Sequence, residues 1–378
     1  LVEFEFTEVE TPTLFRKTAE GAREFVVPTR QQGKFYALPQ SPQQYKQMLV
    51  AGGIHRYYQF ARCYRDEDSR SDRQPEFTQL DMEMGFATAG DVMNVAERVA
   101  RRAVEASIAA GVLSREALDD APFPIMNYAD ALNRFGSDKP DLRYGLELVR
   151  LDETRVAIVV PKGGEMDALS GADVGIDTSD AVPLHFSWLT PSSDASAIEA
   201  LNLDSIALND AVVIIENGDA TRCSDTTLLT SAGRVRTALA DTLQRHALLQ
   251  FDDRSLKFVW IVNFPLFERD DDDTANISSS HHPFTAPISN DEAILRSSNN
   301  DDELLTIRGQ HYDLVLNGVE IGGGSVRVHD AALQRRVFEC LKLTTEQVEE
   351  FSHLLEALEH GCPPHAGIAF GMDRFVAT

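Results

Sequence analysis

Phe60-Ala61-Arg62-Cys63-Tyr64-Arg65-Asp66-Glu67 and, nine residues after Arg65, Gln74-Pro75-Glu76-Phe77-Thr78-Gln79-Leu80-Asp81-Met82-Glu83 decide how this chain is read. Tyr57 to Arg65 and Phe77 to Phe86 are alternating or rich in β-prone residues, and the polar loop between them, Asp66 to Gln74, carries four acids and two arginines with no apolar side chain. The pattern predicts two strands joined by a solvated loop. A period of two places Cys63 and Arg65 on one face, and Phe77, Gln79, Asp81 and Glu83 on one face of the partner. A sheet face this polar is either an outer surface or a binding surface, because buried polar groups cost free energy until a partner completes them.

Outward from this hairpin, Val2 to Val9 reads as a strand, Phe35 to Leu38 as a short strand, Pro42 to Ala51 as a helix closed by Gly52-Gly53, and Gly90 to Ala110 as an amphipathic helix. From about Arg150 to Arg245 the texture changes. Strand-like Val156 to Val160, Leu184 to Leu189 and Ala211 to Glu216 alternate with Ser, Asp and Gly-rich stretches, and Ser231 to Leu249 looks helical. Strand signals resume at Phe258 to Val262, Asp313 to Leu316, Ser325 to Val328 and Ala366 to Phe370, with a helix over Glu346 to Glu359. The acid run Asp270 to Asp273 reads as a solvated loop.

The 378 residues suffice for two domains and a large core, and 43% hydrophobic with 25% charged residues is ordinary globular composition. No apolar run approaches the ~20 residues of a membrane helix, and no signal peptide is legible. Four scattered cysteines, without a Cys-x-x-Cys pair, argue against a disulfide framework or structural zinc. A net charge of −25 opposes general polyanion binding. Residues 1 to 84, however, hold 11 Lys and Arg against 13 Asp and Glu, so most of the excess acid lies elsewhere and a local phosphate site survives.

Two further segments match this character. Glu320-Ile321-Gly322-Gly323-Gly324-Ser325-Val326-Arg327 sets an acid and an arginine around three glycines, seven residues after Asp313. Glycine there permits close approach of a ligand to backbone, and two carboxylates on neighbouring strand ends can hold Mg²⁺ through hard oxygens. Gly367-Ile368-Ala369-Phe370-Gly371-Met372-Asp373-Arg374 reads as a strand running into a helix, with an arginine placed to meet phosphate or stack on a base.

Together the three segments resemble the motifs of the class II aminoacyl-tRNA synthetases, and the chain is most similar to the bacterial and mitochondrial aspartyl-tRNA synthetases. Thr11-Pro12 resembles the first motif, Phe60 to Glu83 the second and Gly367 to Arg374 the third. Glu20-Gly21-Ala22-Arg23, Gln40 to Lys46, Gly136 to Arg143 and His281 to Thr285 match as well. The resemblance covers residues 1 to about 150 and about 258 to 378. It implies an α+β fold: an antiparallel class II sheet flanked by helices, divided as 1–149, a smaller inserted α+β domain over 150–250, and 251–378.

The resemblance also implies a ligase that activates L-aspartate with ATP to aspartyl-adenylate and passes it to the terminal adenosine of tRNA(Asp). Arg65, Glu320 and Arg374 are the implied catalytic residues. ATP falls to Arg65, Asp66, Glu67, Gln74, Phe77, Glu320, Gly371, Met372, Asp373 and Arg374, with Phe77 and Arg374 sandwiching the base, and Mg²⁺ to Asp313 and Glu320. Aspartate falls to Glu20, Ser41, Gln43, Lys46, Arg65, Asp81, His281, His282 and Arg327. Lys46 and Arg327 face the side-chain carboxylate, while Glu20, Ser41, Gln43 and Asp81 suit the ammonium.

Arg70 and Arg73 in the polar loop are the implied contacts to the tRNA acceptor end. A homodimer is implied around Pro12, and neither a membrane nor DNA is implied as a partner. Ala19 stands where the family commonly has proline. The match begins inside the first motif and stops four residues after Arg374, so a catalytic core without the anticodon-binding barrel and the tail is expected. The short, poorly matched insertion points to the mitochondrial matrix over bacterial cytoplasm. The competing readings are an asparaginyl-type ligase or asparagine synthetase of the same fold, against which Lys46 and Arg327 would leave excess positive charge, and a non-catalytic interaction protein, which need not keep Arg65, Glu67, Asp313, Glu320 and Arg374.

Overall fold

The computed structural model describes residues 1–17, 22–67, 73–165, 184–201, 203, 206–217, 225–269 and 276–378. They form two compact units: Leu1–Val112 with Val262–Val315 and Glu320–Thr378, and Leu113–Ile261 with Leu316–Val319.

The first unit is organised around the hairpin read from sequence. Its strands are Arg56–Tyr64 and Glu76–Gly85, antiparallel with Cys63 opposite Phe77 and Gln59 opposite Asp81. His365–Gly371 lies antiparallel along the second of these, with Gly367 opposite Glu83. Val319–Val326 and His311–Leu316 follow in the same sheet, and Thr7–Glu8 adds a short parallel edge beside Arg56–Tyr64.

Three glycines in Val319–Val326 have a steric cause. A Cβ at Gly324 would stand 2.0 Å from the Gly367 carbonyl oxygen, and one at Gly322 would stand 3.0 Å from that of Ala369. At these two positions the close approach that the sequence suggested for a ligand is made by the neighbouring strand. The preceding turn, Asn317 and Gly318, has φ of 50° and 85°, the doubly left-handed backbone that an Asn-Gly hairpin accommodates.

The helix Gln43–Ala51 buries Gln43, Gln44, Lys46, Gln47 and Val50, spacings that place them along one side. Ser41 Oγ accepts from Gln43 N at its start, and Gly53, at φ 98°, follows its end. The helix Ala89–Ala109 opens on a reciprocal Thr88–Asp91 capping box and buries Val92, Met93, Ala96, Ala100 and Val104.

In this unit the larger differences from the sequence reading fall at three places. Val2 to Val9 is a 3-10 turn, Val2–Phe4, ended by Glu5 in left-handed backbone, and then the two-residue strand. The strand expected at Ser325 to Val328 begins earlier, at Val319. The helix expected over Glu346 to Glu359 is two, Thr345–Glu350 and Ser352–Glu359, because the break between them carries Phe351, which is inserted against Phe284 and Phe338.

In the second unit, Leu148–Arg150, Arg155–Val160, Ala211–Asn217 and Leu184–Leu189 make a four-stranded antiparallel sheet in that order. Alternation explains its two covered faces. Val156, Ile158, Val160, Val213 and Ile215 pack with Leu228, Ala232, Val235, Leu239 and Leu243 of the helix Asp225–Arg245, while Ala157 and Val212 join Ile198. Gly233 of that helix meets Gly136 so closely that a Cβ on it would lie 2.2 Å from the Gly136 oxygen. The helix runs Asp225–Arg245, earlier than the expected Ser231 to Leu249. Among the described residues no helix is long and apolar enough to cross a membrane.

Candidate active site

Alternation along Glu76–Gly85 brings Asp81 and Glu83 to one face of the sheet, and both are buried. Facing them are Lys46 from the helix Gln43–Ala51 and Arg327, just beyond the strand Val319–Val326, which are 3% and 4% exposed. Lys46 Nζ lies 2.7 Å from Asp81 Oδ1 and 3.1 Å from Glu83 Oε2. Arg327 donates to both oxygens of Glu83 and, through Nη1 at 2.6 Å, to Ser325 Oγ.

Two cations and two carboxylates thus share one enclosed volume, where each charge needs its partner. Burial pushes the Glu83 carboxyl up, but Arg327 and Lys46 outweigh it and hold the group at about 2. At Asp81 burial prevails over the pull of Lys46, and its pKa is raised.

Beside this cluster stand Arg65 and His282. The Arg65 guanidinium lies 5.2 Å from the centroid of the half-buried Phe77 ring, a cation–π distance. His282 Nδ1 faces the backbone N–H of Phe284 at 3.4 Å. Burial pushes the His282 pKa well below 6.5, and the charges of Arg327, Lys46 and Arg65 push it the same way. The ring is neutral, so its proton sits on Nε2. Among the described residues, that Nε2, Arg65 Nε and Asp81 Oδ2 are buried polar atoms without a hydrogen-bond partner. Unsatisfied donors and an acceptor grouped with fixed charges are what a zwitterionic ligand would complete.

A second pole lies around Gly323. A Cβ there would stand 2.5 Å from Asp313 Oδ1 and 3.4 Å from Glu320 Oε1, so the two carboxylates converge over a residue with no side chain. Hard oxygens in this arrangement fit a magnesium ion. Asp313 is oriented by His311, whose Nε2 lies 2.8 Å from Oδ1, and His281 stacks on the His311 ring at 3.5 Å between centroids. Arg374, at the start of the helix Met372–Ala377, reaches the Glu320 carbonyl at 3.3 Å and its carboxylate at 4.0 Å.

The remaining expected residues are dispersed around these poles. Asp66 faces Arg23 at 3.8 Å, Glu67 faces Arg73 at 3.4 Å, and Gln74 is exposed. Gly371 leads into the Met372–Ala377 helix, and Asp373 accepts from Thr78 N at 3.3 Å. Gln43 is buried near the start of its helix. Glu20, Ala19, Arg70 and the acid run Asp270 to Asp273 lie outside the described residues.

Sequence reasoning assigned no role to Glu83, although alternation had set it on the face of Asp81. Nor did it single out Ser325, His311, Gln47 or His365. Gln47 carried a signal, four residues beyond Gln43 on the same helix, whereas His365 carried none.

Comparison with known proteins bears on the family and the fold. The family model for class II tRNA synthetases (D, K and N) matches residues 1–378. The mitochondrial aspartate–tRNA ligase of Dictyostelium discoideum is 41% identical over 99% of the chain and 58% of its own length. That of Rattus norvegicus is 39% identical over 98% of the chain and 59% of its own length, and the aspartate–tRNA(Asp/Asn) ligase of Heliobacterium modesticaldum is 40% identical over 98% and 63%. The chain thus spans roughly three fifths of these relatives. In structure it is similar to asparaginyl-tRNA synthetase of Entamoeba histolytica in complex with asparaginyl-adenylate, with a TM-score of 0.53 at 15% identity, covering 99% of this chain and 59% of that one. At that identity the likeness bears on the fold alone, which is the class II synthetase fold.

Proposed function

The chain belongs to the class II tRNA synthetases of the D, K and N group, and from that premise we propose that it activates L-aspartate with ATP and transfers it to tRNA(Asp). The observation that carries this reading is the buried pair Lys46 and Arg327 held by one carboxylate, Glu83. Recognition of a second carboxylate on the substrate needs fixed positive charge, and Arg327 presents a planar fork suited to it. Asparagine offers no charge to that pair. Asp81, Ser41 and Gln43, with Glu20 from outside the described residues, are assigned to the ammonium, and His282 Nε2–H, with His281 beyond it, to the carboxylate end.

In the reaction, the α-carboxylate of aspartate attacks the α-phosphorus of ATP, forming one phosphorus–oxygen bond as the bond to pyrophosphate breaks. Arg65 neutralises charge at that phosphate, so that positioning and electrostatics replace an enzyme nucleophile. Phe77 and Arg374 hold the adenine, with Asp66, Glu67, Gln74, Gly371, Met372 and Asp373 around the nucleotide. Asp313 and Glu320 would hold Mg²⁺, which supplies charge neutralisation for the triphosphate.

The finer assignments follow from the same premise. Arg70 and Arg73 are read as contacts to the acceptor end, residues 150–250 as an inserted domain, and the working form as a homodimer around Pro12. The mitochondrial matrix is favoured by likeness to the mitochondrial relatives, against a bacterial relative of similar identity. Fractionation of cells expressing the full-length protein decides the compartment.

Aspartate-dependent ATP–pyrophosphate exchange, with asparagine as control, tests the central reading. Exchange with aspartate, lost in Arg327→Leu while ATP still binds, supports it. Exchange with asparagine instead, or equal loss of ATP binding in Arg327→Leu, defeats it.

A further inference from the structure

We propose that Gln47 and His365 are positioning residues that fix which end of the Gln43 amide faces the bound amino acid. The inference rests on the reading of Gln43 as a contact to the substrate ammonium.

Gln43, Lys46 and Gln47 share the buried side of their helix, at positions i, i+3 and i+4. Gln43 Nε2 donates to Gln47 Oε1 at 3.2 Å, and Gln47 Nε2 lies 3.1 Å from His365 Nε2. His365 is wholly buried at the start of the strand His365–Gly371, and its Nδ1 lies 2.8 Å from the Pro363 carbonyl oxygen.

The direction of every bond in this chain follows from Pro363. A carbonyl oxygen only accepts, so Nδ1 of His365 carries the proton. Burial disfavours a second proton on the ring, outweighing the attraction of Glu83, and Arg327 and His329 oppose it as well. Cys362 Sγ, 3.5 Å from Nδ1, is a buried thiol pushed up to about 11 and adds no charge. Nε2 is therefore a bare lone pair, and Gln47 must turn its NH₂ toward it. The carbonyl of Gln47 then faces Gln43, which must in turn give its NH₂.

What Gln43 has left is its second N–H and Oε1, and the oxygen makes no hydrogen bond among the described residues. An amide oxygen attracts an ammonium and an amide N–H repels it, so the relay selects the productive face of Gln43 in advance. The entropy of choosing between two amide orientations is removed before the substrate arrives. Because His365 also accepts from Arg327 N through its carbonyl at 2.9 Å, the same residue anchors the backbone that carries the carboxylate-binding arginine.

Two measurements decide the matter. In the wild-type chain, ¹⁵N NMR of the His365 imidazole is expected to report a neutral ring protonated at Nδ1 and bare at Nε2; a proton on Nε2 overturns the relay whatever the substrate proves to be. In exchange assays, His365→Leu is expected to raise the KM for aspartate about tenfold or more, the size of one hydrogen bond to a charged group, leaving the KM for ATP unchanged.

His365→Gln, whose Oε1 can still accept from Gln47, should recover most of that loss. Equal rises in both KM values, or a folded His365→Leu with unaltered aspartate KM, would reduce His365 to a packing residue. Absence of aspartate-dependent exchange in the wild type would sink the ligase reading instead, and the tautomer alone would then judge the relay.

Discussion

Glu83 accepts from Arg327 at both oxygens, 3.0 Å from Nε to Oε1 and 3.3 Å from Nη2 to Oε2, across 244 residues of sequence. The second oxygen also lies 3.1 Å from Lys46 Nζ. One carboxylate therefore fixes both cations, while the contacts among the described residues leave two of the five Arg327 N–H donors and one of the three on Lys46 for a further acceptor.

Replacing Glu83 by Gln should cost about 3–5 kcal/mol, because removing one partner of a buried pair strands the other charge. Urea unfolding measures the loss, and exchange assays should show the aspartate KM rising more than that for ATP. The pH dependence has a definite sign. Glu83 is held at about 2 against an ordinary 4.5, so its stabilisation is complete above pH 4.5 and drains away as pH falls toward 2. The variant should lack that part of the acid lability; an identical stability–pH curve would contradict the assignment.

Adjacent glycines should respond differently to alanine. At position 324 the new Cβ meets backbone, the Gly367 oxygen, so the strand pair must part and stability should fall by about 3 kcal/mol or more. At position 323 it meets the Asp313 carboxylate, a side chain that can turn. Gly323→Ala, which displaces a side chain at the expense of its His311 contact, should therefore lower the urea midpoint less than Gly324→Ala while raising the Mg²⁺ concentration needed for half-maximal exchange. Unaltered magnesium dependence would remove Asp313 and Glu320 from the metal site.

Burial lowers His311 to about 3 and His282 well below 6.5, so neither ring should titrate between pH 8 and 5. Two-dimensional NMR of the imidazoles checks this directly. The unfolded chain takes up these protons near 6.5 and the folded chain does not, so the pair makes stability fall as pH drops below that value. A titration of either ring near 6.5 would show that it is solvated.

Phe351 is 2% exposed and stands 5.0 Å from Phe338 and 5.4 Å from Phe284, centroid to centroid. Its replacement by Ala should cost about 3–5 kcal/mol in urea unfolding. A loss below ~1 kcal/mol would indicate that the site collapses around the gap.

The hairpin was legible because its signal is local: period-two alternation gave the shared face of Phe77, Gln79, Asp81 and Glu83, and the register fell where that pattern required. Lys46, Arg65, His282 and Arg327 were named through the motifs that carry them, and the fold gathers them. The polarity of that gathering was not legible. Which acid neutralises Arg327 depends on a strand pairing between distant segments, so Glu83 passed without a role while its neighbour Asp81 received one. The triple glycine gave a correct signal with an incomplete cause, since sequence shows that space is needed but not whether a ligand or a neighbouring strand fills it. The break at Phe351 escaped for a similar reason: a helical pattern records which residues are apolar, and an aromatic pocket formed by remote residues overrode it.

A Cβ at Gly367 would lie 1.9 Å from Glu83 Oε2. The seat of that carboxylate is thus carved from bare main chain, and the smallest possible side chain would evict its occupant. The same Cβ would lie 2.3 Å from the Met82 carbonyl oxygen, so one added methyl at position 367 would strain the strand pair and unseat the anchor of both buried cations together.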